Sequence, residues 1–95
     1  MLNSKQRAKL KSLANKTEAI MQIGKLGVSP EVAASADEAL ESRELIKISV
    51  LDTCEQTARE AAEILSGRTR SEIVTVIGRK IVLYRKSKTN HVIEL

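Results

Sequence analysis

Aromatic side chains are almost absent from this 95-residue sequence, which has no Phe, no Trp and a single Tyr, Tyr84. A buried core must therefore be built from Leu, Ile, Val and Ala. Nucleic-acid recognition by stacking of unpaired bases on an aromatic platform is disfavoured for the same reason.

Cysteine and histidine are equally scarce, since Cys54 and His91 are the single residues of their types. A lone cysteine cannot form an internal disulfide, which favours a reducing, cytoplasmic compartment. One Cys and one His cannot complete the ligand sets that zinc prefers, and no Walker or G-x-G-x-x-G pattern is present. We therefore expect no metal, no cofactor, no small-molecule substrate and no catalytic residue, and we interpret Cys54 as a structural side chain.

Long apolar runs and linker-like segments are also missing. No stretch approaches 18 consecutive apolar residues, and the basic N-terminal segment has no apolar core of a signal peptide. Pro30 is the only proline, and no Gly/Ser-rich run marks a linker. We expect one domain over residues 1–95 and no membrane association.

The charges are unevenly distributed along the chain, which carries a net charge of +4. Both ends are basic, whereas residues 28–66 hold nine acids and three bases. If the two ends meet in the fold, they make one basic face suited to a polyanion. The basic residues are Lys5, Arg7, Lys9, Lys11 and Lys16 near the start, and Arg79, Lys80, Arg85, Lys86 and Lys88 near the end.

Hydrophobic spacing predicts three helices and four strands in the order α-β-α-β-α-β-β. The helices are expected at 4–16, 30–42 and 54–66, and the strands at 18–23, 45–51, 73–77 and 80–85. Because the helices and strands interleave, we predict an α/β fold: a single compact domain with a four-stranded mixed sheet packed with helices.

Capping and turn residues set the predicted ends of these elements. Ser4 and Ser29 are the expected N-caps of the first two helices, and Thr53 to Gln56 is the expected capping box of the third. Gly67 is the expected end of that third helix. Gly78 begins a two-residue hairpin turn of type II′.

The segment Gly24-Lys25-Leu26-Gly27 lies between a predicted strand and a capped helix. Glycines without Cβ atoms let a phosphate approach the main chain, and the following helix N-terminus favours anions. Lys25 adds a cation at the tip of the loop. We predict a loop that binds nucleic-acid backbone; the alternative is a plain turn.

Basic side chains on the first helix and around the last hairpin extend the predicted surface. Solvation of a helix face and protection of an edge strand are the alternative roles of these residues. The candidate RNA-binding residues are Gly24, Lys25, Leu26, Gly27, Lys5, Arg7, Lys9, Lys11, Arg79, Lys80, Arg85 and Lys86.

Four segments in fixed order carry a family pattern. They are Leu2-x-x-Lys5-Gln6-Arg7-x-x-Leu10; Gln22-Ile23-Gly24-Lys25-x-Gly27-Val28; Ala39-Leu40 through Glu44-Leu45-Ile46-Lys47-Ile48; and Val76-Ile77-Gly78-Arg79-x-Ile81-Val82-Leu83-Tyr84-Arg85. Together they resemble the CRM domain (chloroplast RNA splicing and ribosome maturation) in its stand-alone bacterial, YhbY-like form. The resemblance covers residues 2–85 and leaves a polar tail, 86–95, outside the pattern.

The resemblance implies a fold similar to the C-terminal domain of bacterial translation initiation factor three, and binding of RNA. Gly24, Lys25 and Gly27 fill the glycine-loop positions of the family, and Leu26 fills a variable one. Its basic positions are filled by Arg7, Arg79 and Arg85. Because bacterial members are associated with precursors of the large ribosomal subunit, the implied partner is that ribosomal RNA.

Three other functions remain open from the sequence. An acidic central face (Glu31, Asp37, Glu38, Glu41 and Glu44) could dock a basic ribosomal partner. The basic helix 4–16 could read double-stranded DNA, although interleaved strands do not suggest a helix-turn-helix. A hydrolase or redox enzyme would have to use Cys54 or His91.

Overall fold

The computed structural model describes residues 2–95; Met1, which the predicted domain includes, lies outside the described residues. Over this range the chain forms three α-helices and four β-strands in the predicted order. The helices are α1 (Ser4–Ala14), α2 (Pro30–Arg43) and α3 (Ala58–Thr69), and the strands are β1 (Met21–Ile23), β2 (Leu45–Val50), β3 (Glu72–Ile77) and β4 (Lys80–Tyr84). The predicted α/β class is confirmed.

The strands form one mixed sheet in the order β1-β2-β4-β3. β1 pairs with β2 in parallel, whereas β4 is antiparallel to both of its neighbours. As a result, the loops after β1 and β2 and the β3–β4 turn all lie at one end of the sheet. We call this the loop end (residues 24–29, 51–57 and 78–79) and the opposite end the tail end (residues 44, 70–71 and 85–95).

The two faces of the sheet are covered differently. Helices α2 and α3 pack on one face, over a core that includes Ile23, Leu40, Ile46, Ile48, Leu65, Ile81 and Leu83. On the other face, Leu10 and Ala14 of α1 form a smaller core with Leu45, Val74, Val82 and Tyr84. Because α1 ends at Ala14, the part of this face near the loop end stays open, and Ile77 is 65% exposed there.

The third helix begins later than the sequence predicted. Its capping box is Thr57 with Glu60, so the prediction of a box from Thr53 to Gln56 was wrong. Both segments fit the capping pattern, but the reciprocal bonds form between Thr57 and Glu60, whereas Oε1 of Gln56 accepts from the amide of Val28. The predicted end was wrong as well, because Gly67 is exposed inside the helix and Arg70 takes the left-handed cap, with φ 56°.

Smaller differences occur at other element ends. Asn3, not Ser4, caps α1, in a reciprocal capping box with Gln6. The helix stops two residues before the predicted end, and β1 begins at Met21 rather than at residue 18. At the hairpin, Gly78 has φ +57° and Arg79 has no positive φ. Both values are the ones that a type II′ turn requires.

Within residues 2–95, every helix is too short or too polar to cross a bilayer.

Candidate nucleic-acid interface

The glycine loop is a closed turn at the loop end of the sheet. The amide of Gly27 donates to the carbonyl of Gly24 at 2.9 Å. Gly27 has φ +70°, which strains other residues, and a Cβ there would lie 2.8 Å from Oε1 of Gln56 and displace that side chain, so the fold itself favours this glycine. Gly24 has no positive φ, and a Cβ there would meet only Leu51 at an ordinary 3.8 Å. The fold therefore does not require Gly24.

Gln56 holds the glycine loop against the loop that precedes α3. Its Oε1 accepts a hydrogen bond from the amide of Val28 at 3.1 Å. This anchor leaves the two residues at the tip, Lys25 and Leu26, facing solvent, and Leu26 is 91% exposed. An ammonium group and an aliphatic side chain are thus presented together at the most projecting part of the loop.

The hairpin tip lies next to the end of β2, which separates it from β1. The amide of Val50 donates to the carbonyl of Arg79 at 2.7 Å, and Nζ of Lys80 donates to Oγ of Ser49 at 2.6 Å. Arg79 and Lys80 line a shallow groove together with Leu51, the residue that packs below Gly24. The structure therefore brings Lys25, Arg79 and Lys80 to the same end of the molecule.

A second groove opens on the α1 face of the sheet and is rimmed by Lys11, Lys47 and Lys80. We call it the lysine groove; it is lined by Lys11, Ala14, Asn15, Lys47, Thr75, Ile77, Lys80 and Val82. These lining residues include no acid, whereas Asp52 and Glu55 flank Arg79 on the α3 side. Positive charge at the loop end is thus concentrated toward α1.

Lys47 was not among the candidate residues from sequence, because it stands alone in the acidic middle of the chain. The alternation of side chains between the two faces of β2 is the sequence signal that could have identified Lys47. Ile46 and Ile48 are buried under α2 and α3, so Lys47 must point to the opposite face. There its Nζ donates to the carbonyl of Ala14 at 3.3 Å, which places the ammonium at the end of α1.

Arg7 has an internal role in the structure. Its guanidinium donates to the carbonyls of Ile73 and Val74, where a β-bulge interrupts the pairing of β3 with β4. A bulge leaves strand carbonyls without ladder partners, and this arginine supplies the missing donors. Its position in the family pattern therefore has a structural explanation.

Replacing Arg7 with Met should lower the free energy of unfolding by about 2 kcal/mol, because two carbonyls lose a charged donor. Lys5→Met is the matched control, since Lys5 is exposed on the same helix and the change removes the same charge. We expect the control to cost less than about 0.5 kcal/mol in urea unfolding. Unchanged stability of Arg7→Met with weakened RNA binding would instead make Arg7 an RNA contact.

Arg85 and Lys86 lie at the tail end, away from the glycine loop. The five-residue strand β4 separates Arg85 from the hairpin tip by about 20 Å at roughly 3.3 Å per residue. The guanidinium of Arg85 contacts Asp37, Glu41 and the carbonyl of Thr69. The charge of Arg85 is therefore paired with carboxylates of α2 within the fold.

The first turn of α1 also lies at the tail end, since Leu2 and Gln6 line a depression there with Lys86. Lys5 belongs to the same turn, and Nζ of Lys9 donates to the carbonyl of Glu94. The expectation that both chain ends form one basic face with the glycine loop was thus wrong. The cations divide between the two ends of the sheet.

The proposed acidic face is likewise reduced by internal contacts. Glu44 is fully buried at the end of α2, and its carboxylate accepts hydrogen bonds from the amides of Ser87, Val92 and Ile93. Glu41 accepts from four donors of residues 87–89. The inclusion of Glu44 in a surface for a basic partner was wrong, because its charge does not reach solvent.

These contacts set the pKa values of both carboxyl groups. Burial by itself raises the pKa of Glu44, but the amides of Ile93, Ser87 and Val92, together with His91, outweigh it and lower the pKa to about 2. The hydroxyls of Ser87 and Thr89 are the main cause that lowers the pKa of Glu41 to about 2. Residues 87–93 are therefore attached to the domain by two carboxylates.

The two residues considered for enzymatic chemistry are far apart in the fold. Cys54 is half-buried in the loop before α3, not in the first turn of that helix. His91 lies at the tail end, with Nδ1 3.1 Å from Oε2 of Glu44. Among residues 2–95 no group of three or more His, Cys, Asp or Glu side chains is placed to hold a metal.

Comparison with known proteins identifies relatives of this chain. The family model described as the CRS1/YhbY (CRM) domain matches residues 2–85. The Probable RNA-binding protein YqeI of Bacillus subtilis is 47% identical over 95 residues, covering 100% of this chain and 99% of the relative. An RNA-binding protein of Haemophilus influenzae is 32% identical over 87 residues, covering 92% and 88%.

A solved structure agrees with the fold. The solution structure of the hypothetical protein SAV1595 from Staphylococcus aureus is 49% identical in sequence and superposes with a TM-score of 0.83, covering 100% of this chain and 99% of the other. With the family match over residues 2–85, these similarities establish that the chain belongs to the CRS1/YhbY (CRM) domain family.

Proposed function

We propose that this protein is a non-catalytic RNA-binding protein that binds ribosomal RNA of the large-subunit precursor during ribosome assembly. The observation that carries the proposal is that the strand directions place the glycine loop, the hairpin tip and the lysine groove at the same end of the sheet. The names of the Bacillus and Haemophilus relatives support RNA as the partner. Bacterial members of the family are associated with precursors of the large ribosomal subunit, and this association supports ribosomal RNA as the RNA that is bound.

The glycine loop would hold one stretch of RNA backbone. The fold does not require a glycine at position 24. The role of Gly24 in this binding mode is that the absence of a Cβ leaves the main chain open to a phosphate. Lys25 would neutralise that phosphate, and the exposed Leu26 would contact a sugar or base beside it. The backbone would continue over Arg79 toward the lysine groove, whose lining residues include no acid.

Five cations take part in this binding mode: Lys11, Lys25, Lys47, Arg79 and Lys80. Each phosphate contact contributes roughly 0.7–0.9 to the slope of log affinity against log salt concentration. Filter binding to a structured ribosomal RNA fragment should therefore lose about 100- to 500-fold in affinity between about 50 and 200 mM salt. Affinity that does not change with salt would contradict a phosphate-based interface.

The identity of the RNA is a separate test. Crosslinking the protein to RNA in cells and sequencing the attached fragments should enrich large-subunit ribosomal RNA over other cellular RNA. Co-purification of ribosomal proteins should be lost on nuclease treatment if RNA is the primary partner. Enrichment of a different RNA class would refute the ribosomal assignment and leave RNA binding in place.

A further inference from the structure

The lysine groove combines an apolar floor with a cationic rim, a composition that the glycine loop lacks. Val82 and Ala14 form the buried floor, and Ile77 extends it along the edge strand β3 while remaining 65% exposed. Lys11, Lys47 and Lys80 stand around this floor. We infer that the lysine groove binds a single unpaired nucleotide that is extruded from the RNA.

The floor fits a nucleobase. A base that leaves its stack needs a new apolar contact, which proteins usually supply with exposed aromatic rings. The only aromatic residue of this chain, Tyr84, is 7% exposed and cannot supply one. Ile77, beside Val82 and Thr75, offers the base an aliphatic surface instead, and the amide group of Asn15 can donate to and accept from a base edge.

The rim fits the phosphates on either side of such a base. Three ammonium groups surround the floor, and the residues lining the groove include no carboxylate that would repel a phosphate. Nζ of Lys47 is held by the carbonyl of Ala14, and Nζ of Lys80 by Ser49, so two of the three cations have fixed positions. Charge complementarity thus favours a nucleotide over a purely apolar occupant.

This inference rests on the proposed RNA binding and is tested with two RNA hairpins that differ by one bulged nucleotide. The wild-type protein should bind the bulged hairpin about tenfold more tightly, a difference of about 1.4 kcal/mol. Ile77→Ser should abolish that preference, so that the variant binds the two hairpins with equal affinity. Val92→Ser is the matched control, because Val92 is also exposed, at 58%, but lies at the tail end.

The outcomes separate this inference from the proposed function. If neither hairpin binds the wild-type protein, RNA binding itself fails. If both bind equally, or if Ile77→Ser keeps the preference, RNA binding stands and the nucleotide site is refuted. Equal thermal unfolding midpoints of the two Ser variants would exclude a folding defect as the cause of a lost preference.

Nuclear magnetic resonance titration identifies the occupant directly. Adenosine monophosphate should shift the amide signals of Thr75, Ile77 and Val82, whereas inorganic phosphate should shift only those beside the lysines. Identical shifts with both ligands would refute a base-binding floor. Shifts at Ile77 that depend on protein concentration without any ligand would instead identify a second copy of the chain as the occupant.

Discussion

Replacing Lys25 and Lys80 together with Glu is expected to weaken RNA binding about 100-fold at moderate salt, about tenfold for each reversed charge. The same double replacement at Lys86 and Lys88 should change the affinity by less than about threefold. Both pairs are exposed lysines, but the first lies at the loop end and the second at the tail end. Competition filter binding against wild-type protein measures both values.

The comparison isolates the position of the charge from its amount. Each Lys→Glu replacement lowers the net charge by two, so either double variant falls from +4 to zero. A general attraction between a cationic protein and RNA would therefore weaken equally in both variants. A specific interface at the loop end would weaken only in the variant with Lys25 and Lys80 replaced.

Two results would contradict the interface. Equal losses in the two double variants would show that net charge alone determines affinity. A larger loss for Lys86 and Lys88 would move the interface to the tail end. Because all four side chains are exposed, the thermal unfolding midpoints of the variants should stay close to that of the wild-type protein.

The glycine loop and its helix were predictable from sequence because their signals are local. Ser29 and Pro30 define the start of α2 within a few residues, and the short apolar run before Gly24 defines the end of β1. The placement of the distant basic residues was not predictable in this way. A charge pattern identifies cations but does not reveal which of them have acidic or carbonyl partners in the fold.

Arg7 and Arg85 illustrate that limit. Arg7 donates to the carbonyls of Ile73 and Val74 at an irregularity in the pairing of β3 with β4, and the sequence of β3 gives no glycine or other mark of it. Arg85 directly follows β4 and contacts Asp37 in the middle of α2, 48 residues away, so the pair depends on how this helix packs on the sheet. Strand order depends on long-range pairing, so sequence periodicity alone could not assign either arginine.

Glu44, the buried acid at the C-terminal end of α2, also has a role that only the tertiary structure reveals. Its loss is expected to have the largest effect on stability. Replacing Glu44 with Ala should lower the free energy of unfolding by about 3 kcal/mol, because several amide donors lose a charged acceptor. The distances from the amides of Ser87, Val92 and Ile93 to its carboxylate are 2.7, 2.6 and 2.7 Å. Glu38→Ala, on the exposed surface of the same helix, is the control.

The backbone of Glu44 adds a second, opposing contribution. Its φ is +66°, a region in which a side chain is strained and glycine is not. Glu44→Gly should therefore be about 1 kcal/mol more stable than Glu44→Ala, although less stable than the wild-type protein. Urea unfolding that finds the Gly variant as stable as the wild-type protein would show that the carboxylate contributes no more than the roughly 1 kcal/mol that glycine recovers at this φ.

The same carboxylates predict how stability depends on pH. The pKa of Glu44 and that of Glu41 fall from an ordinary 4.5 to about 2 in the folded protein. A pKa that is lower in the folded state stabilises the fold above the unfolded value, and this stabilisation is lost as the pH falls toward the folded value. The wild-type protein should therefore lose stability between pH 4.5 and 2.

Glu44→Ala should lose less stability over that interval, so the difference between the two proteins should shrink as the pH falls. The amides of Ser87, Lys88, Thr89, Val92 and Ile93 donate to the two carboxylates, so their signals should lose protection from hydrogen exchange over the same interval. A constant difference between wild type and variant at every pH would assign the effect of Glu44 to packing. Convergence of the two curves would assign it to the buried charge.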